Sequence, residues 1–139
     1  VNLLKKYPNI VNKITLTSAH SLQELRDQVN EHDVGLDLLP NVALFNTSIS
    51  DKVMDYYTCS VPTLMSSNGK NRSIFNETEA LFSDFDKKSI TYEIQKILKM
   101  SNDELSKIGN AGQKKLLGRK RNYQLMAEQL KEKLDEILN

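Results

Sequence analysis

Val34-Gly35-Leu36-Asp37-Leu38-Leu39, closed by Pro40, is the stretch on which the fold turns. A mostly apolar run of this length suits a strand buried on both faces of a parallel sheet. Upstream, Ser21 opens a helix with Glu24 at the capping-box spacing, and Leu22, Leu25 and Val29 supply its apolar stripe. His32-Asp33 ends that helix. Downstream, residues 41–50 form a polar loop, and a short helix is expected from about Asp51 to Thr58. Val61-Pro62-Thr63-Leu64-Met65 reads as the next strand, with proline at its start, where it is tolerated.

Further out, Ile14-Thr15-Leu16-Thr17 is short and β-branched and reads as an earlier strand, while residues 1–7 could end a helix before Pro8-Asn9. Ser66 to Ser73 reads as the clearest loop in the chain. Ala80-Leu81-Phe82 reads as a short strand or turn. A helix over residues 88–100 would bury Ile90, Ile94, Ile97 and Leu98. Ser101 and Glu104 mark the next helix start, with Leu105, Ile108 and Leu116 inside. The last helix, from about Asn122 to Leu138, carries Leu125, Met126, Leu130, Leu134 and Ile137 in its stripe. The alternation of strands and helices predicts an α/β fold: a Rossmann-like, three-layer domain with a parallel sheet and C-terminal helices. That helical tail is expected to pack across the sheet or onto a partner domain. No domain boundary is expected within residues 1–139.

The bulk numbers exclude more than they assign. The 139 residues carry 19 basic and 18 acidic side chains, a net charge of +1, so no global field calls for nucleic acid or an anionic surface. Basic residues with interleaved aromatics are also missing. One cysteine, Cys59, leaves no internal disulfide and fits a reducing compartment. It reads as a small core residue. No apolar run approaches the roughly 18 residues of a membrane span, and no signal peptide is seen. The chain opens at Val1 in mid-pattern and is read as a fragment of a longer protein. Tyr56 and Tyr57 read as packing residues, and His32 as a helix-end histidine favoured by the dipole. The run Lys114-Lys115 with Arg119-Lys120-Arg121 reads as a solvated helix end.

In an open parallel sheet, ligands bind beyond the carboxyl ends of the strands. That would gather residues 18–21, 40–51 and 66–73. The middle loop ends Thr47-Ser48-Ile49-Ser50-Asp51-Lys52 at a helix start. Free amides and the positive dipole end suit a phosphate there, and Lys52 adds a point charge. Asp55, three residues on, shares its face and could accept hydrogen bonds from a ribose diol. The same residues admit a plain structural reading: Ser50 or Asp51 as an N-cap, Lys52 and Asp55 as a solvated surface pair, and His20 as a loop histidine satisfied by solvent.

The order of these segments resembles the C-terminal domains of group 1 (family 4) glycosyltransferases of the GT-B fold. The resemblance runs from Ile14–Ser18 with Leu22–Leu25, through His32–Pro40, Thr47–Tyr57 and Val61–Ser67, to Asn102–Leu105 with Ile108–Gly112, nearly the whole chain. It implies a nucleotide-diphosphate-sugar (donor) binding domain, the C-terminal half of an enzyme that transfers a sugar with retention and needs no metal or other cofactor. Lys52 would lie beside the diphosphate, backbone amides around Ile49, Ser50 and Asp51 would touch it, and Asp55 would hold the ribose. Residues near Ala19 and His20 would border the base. Thr47 and Ser48 belong to the same donor loop.

Three departures stand out. Asp55 is shorter than the family's glutamate, Ser48 replaces an upstream acidic residue of many members, and Ser60 replaces the glycine before Val-Pro. The implied partners are the nucleotide sugar and an N-terminal acceptor-binding domain, without which the fragment would not catalyse transfer. Polysaccharide biosynthesis by a cytoplasmic enzyme at the inner membrane face, held there peripherally, is the matching expectation. The competing readings are a non-catalytic, decayed domain of the same type that serves as an interaction module, and an α/β receiver. The receiver is disfavoured because Asp33 and Asp37 do not sit where its paired acids and phosphoacceptor would.

Overall fold

The computed structural model describes residues 13–118 and 123–138. The expectations for residues 1–7, for Arg119-Lys120-Arg121 and for the side chains of Leu125 and Met126 fall outside the described residues. The elements run α1 (Leu22–Asn30), β1 (Gly35–Asp37), a 3-10 turn (Ala43–Asn46), α2 (Asp51–Thr58), β2 (Thr63–Ser66), α3 (Gly69–Ile74), β3 (Leu81–Ser83), α4 (Lys87–Ile97), α5 (Asn102–Gly118) and α6 (Tyr123–Leu138). The strands form one parallel sheet in the order β1-β2-β3, with Leu36 beside Leu64 and Leu64 beside Leu81. The chain is therefore α/β with a small open parallel sheet, compatible with a Rossmann-like fold.

Alternation along the strands divides the core in two. Met65 and Phe82 join Ile49, Val53, Tyr57, Ile74, Phe75, Ala80 and Leu116. Leu64 and Leu81, which point the other way, join Ile97 and Leu105, with Val34, Leu38, Met100 and Ile108 against them. Helix α5 contributes Leu105 to one cluster and Leu116 to the other, so it links the two. Each fully buried side chain of this size is worth about 1.5–3 kcal/mol.

Glycine sets the helix approach at two places. A Cβ on Gly112 would stand 2.1 Å from the Tyr57 ring, and one on Gly109 would stand 1.9 Å from the Ser60 carbonyl oxygen. Without side chains there, α5 lies directly on α2 and its exit turn. Ser60 itself has φ 57, a left-handed conformation that an L-residue holds at a cost of about 1–2 kcal/mol. This is the position where glycine was expected from the resemblance.

Several expectations are corrected. Residues 14–17 form no strand; Ile14 and Leu16 are exposed, with no neighbouring strand among the described residues. β1 is not buried on both faces, because Leu36 is 49% exposed on an edge strand. The loop expected at 66–73 contains α3. Asn68 caps it by accepting from the Asn71 amide, and Asn71 Nδ2 donates to Ser66 O, so these two asparagines are buried by being bonded. Stripe residues Leu22, Ile94 and Leu98 are exposed. So are Leu130, Leu134 and Ile137 of α6, where every described side chain is exposed. The capping signals are sharper: Ser101 and Glu104 bond reciprocally. At α1, Ser21 Oγ accepts from Glu24 N, while the Glu24 carboxylate accepts from His20 N instead of closing on Ser21.

Candidate functional site

The loop from β1 to α2 leaves the carboxyl end of β1 and returns as a helix start. Ile49 is buried in the core beneath it and fixes the loop's exit. Ser50 is the N-cap, its hydroxyl accepting from Lys52 N at 3.3 Å. Thr47 Oγ1 donates to Leu44 O. Ser48 is exposed. The structural role of Ser50 is thus real, and it occupies the hydroxyl but leaves the Ser50 and Asp51 amides without helical acceptors.

Lys52 and Asp55 both lie on the exposed side of α2, one turn apart, and make no ion pair with each other. Partial burial raises the pKa of Asp55, and the neighbouring Asp51 carboxylate adds to that. The opposite side of α2 is anchored: Val53 and Tyr57 have no exposure, and Tyr57 OH donates to Glu79 O at 2.6 Å. Tyr56 packs against Gly35, where a Cβ would meet its ring at 2.4 Å. Cys59, half-buried, donates to Arg26 O at 3.9 Å, and burial raises its thiol pKa.

Of the three loops expected together, two are joined. Ser66 Oγ donates to Leu39 O and accepts from Leu39 N, and Asn68 Nδ2 donates to Phe45 O. Residues 18–21 stand with α1 instead. Gln28 Nε2 donates to Ser18 O, and His20, exposed, hydrogen-bonds within its own turn to Glu24. His32 Nδ1 lies 2.6 Å from Gln28 O at the end of α1, as a helix-end histidine should.

Two clefts open over the carboxyl ends of the strands. One, of about 240 Å³, is bounded by Leu39, Asn41, Ser66, Asn68, Asp84 and Phe85. The other, of about 440 Å³, lies between Arg72 and Tyr92. Thr47 to Asp55 line neither of them. Asp37 corrects the sequence reading, which places it away from any strand end in setting the receiver aside: it is the last residue of β1. It is 97% buried at the end of β1, and its Oδ1 accepts no hydrogen bond among the described residues; neither does the buried Oδ1 of Asn46. An aspartate inside an apolar run was the available signal. Among the described residues, no group of three His, Cys, Asp or Glu is placed to hold a metal ion. No described helix is long and apolar enough to cross a membrane. No family model, no curated protein and no solved structure matches the chain.

Proposed function

We propose that this chain is the nucleotide-sugar-binding domain of a retaining glycosyltransferase, the C-terminal half of a GT-B enzyme. The observation that carries this reading is the outer side of α2. Lys52 and Asp55 stand there exposed and one turn apart, beside uncapped amides, on the helix that follows a parallel strand. Lys52 and the amides of Ser50 and Asp51 hold the diphosphate; Asp55 accepts from the ribose. As the sugar leaves, negative charge grows on the diphosphate, and fixed positive ends already facing it lower the barrier. The acceptor is held by a further domain.

One observation favours the second reading, a domain of this type that has lost its ligand and serves as an interaction module. Asp51 places a carboxylate in the first turn of α2, where it repels a diphosphate. Calorimetric titration with UDP, GDP and ADP, without added metal, separates the two. Saturable binding of one nucleotide, lost in Lys52→Ala and Asp55→Ala, supports the donor domain and names the base. Heats that never saturate for any nucleotide favour the module.

A further inference from the structure

We infer that the larger cleft, over the carboxyl ends of β2 and β3, binds an anionic sugar derivative through Arg72 and Lys88. This site shares no residue with the outer side of α2.

Its cationic wall is built in advance. The Arg72 guanidinium lies 3.8 Å over the Phe82 ring. Arg72 Nε donates to Ser67 Oγ at 3.0 Å, and Nη1 is bonded to Glu77. Ring, hydroxyl and carboxylate fix the plane of the fork, and Nη2 keeps its donors without a partner among the described residues. A guanidinium held in this way loses little entropy on meeting an anion. Lys88, on the first turn of α4, lines the same cleft; its charge acts on the Asp86 carboxylate, but it closes no salt bridge with it.

The helix end itself is not the anchor. Asp86 caps α4 by accepting from the amides of Lys88 and Ser89. The anion must therefore be met by side chains. Tyr92, one turn beyond Lys88 and 62% exposed, lines the same cleft and offers a ring face for stacking. Of the two acids there, Glu93 is held by Lys96 at 3.0 Å, which leaves Asp84 to accept hydroxyl hydrogens. Two cationic donors, one carboxylate acceptor and an aromatic wall fit a molecule with one negative group, several hydroxyls and a flat apolar face. A sugar carrying a phosphate or a carboxylate has that chemistry.

The test is an NMR titration of the 139-residue chain with ribose 5-phosphate, glucuronate and uncharged ribose. The expected result is saturable movement of the Arg72 Nε–H and Tyr92 ring signals with one or both anions, and not with ribose. Which anion binds tells phosphate from carboxylate. Lys88→Gln, a surface change that leaves the fold intact, should weaken binding at least about tenfold, the value of a charge-assisted hydrogen bond. Lys52→Ala should leave it unchanged, so the result is independent of nucleotide binding at α2. No saturable shift with either anion, equal binding of ribose, or indifference to Lys88→Gln would overturn the inference.

Discussion

Helices α2 and α6 carry the same kind of apolar stripe and meet opposite fates. In α2, Val53 and Tyr57 are fully buried against the sheet and α5. In α6, Leu130, Leu134 and Ile137 remain 48–78% exposed. The pattern states only that a helix has an apolar side. Burial requires a surface shaped to receive it, and α2 has one because Gly35, Gly109 and Gly112 let backbone and ring come close. That anchoring also gives α2 a fixed outer side on which Lys52 and Asp55 can be held for a ligand.

The largest effects should come from breaking the buried side. Tyr57→Ala removes a fully buried ring and its bond to Glu79, and should cost about 3–5 kcal/mol in urea unfolding. Gly112→Ala drives a methyl into that ring and should cost about 1–3 kcal/mol. The matching change on α6, Leu134→Ala, should stay within about 0.5 kcal/mol. Equal losses at Tyr57 and Leu134 would erase the contrast.

Changes on the outer side should act on ligand, not on stability. Lys52→Ala should weaken the bound nucleotide about 10- to 100-fold, the range of a hydrogen bond to a charged group, with little change in unfolding midpoint.

The pH dependence has a definite sign. In the proposed donor site Asp55 is the stronger, acceptor-only partner for a ribose diol when ionised, and partial burial with Asp51 beside it raises its pKa. Nucleotide affinity should therefore be full above that raised value and fall as pH drops through it, with a midpoint above that of an ordinary aspartate. Asp51→Asn should move the midpoint down and tighten binding at neutral pH. A pH midpoint and an affinity that both survive Asp55→Asn unchanged would show that Asp55 does not face the ligand.

A small gain in stability sharpens the comparison at the turn between α2 and β2, on which α5 lies. Ser60→Gly relieves a positive φ while freeing the unfolded chain, a net gain of about 0.5–1 kcal/mol. A loss of stability instead would mean that the serine makes a contact worth more than the strain.

The sequence showed most where local chemistry decides. The bounds of α2 and the Ser101–Glu104 cap follow from capping oxygens and apolar spacing, while Ala80-Leu81-Phe82 left strand and turn open and its last two residues open β3. It misled where distant partners decide. Residues 14–17 have strand composition but no strand beside them among the described residues. Residues 66–73 look like loop because Asn68, Asn71 and Arg72 are polar, yet bonds to Ser66, Ser67 and Phe45 fold most of them into α3. Within the candidate site, Lys52 and Asp55 are adjacent because three residues make nearly one helical turn. His20 lies on a turn bonded to α1, a placement that nothing local in the sequence indicates. Arg72 and Lys88 lie 16 positions apart in sequence, so no spacing rule brings them to one cleft.

The most direct test is an amide and side-chain NMR shift map of the chain saturated with the nucleotide diphosphate that binds best. Nucleotide binding at α2 predicts the largest shifts at the amides of Ser50, Asp51 and Lys52, with Asp55 following and with Lys88 and Tyr92 still. Shifts centred on Arg72, Lys88 and Tyr92, with α2 unmoved, would contradict it.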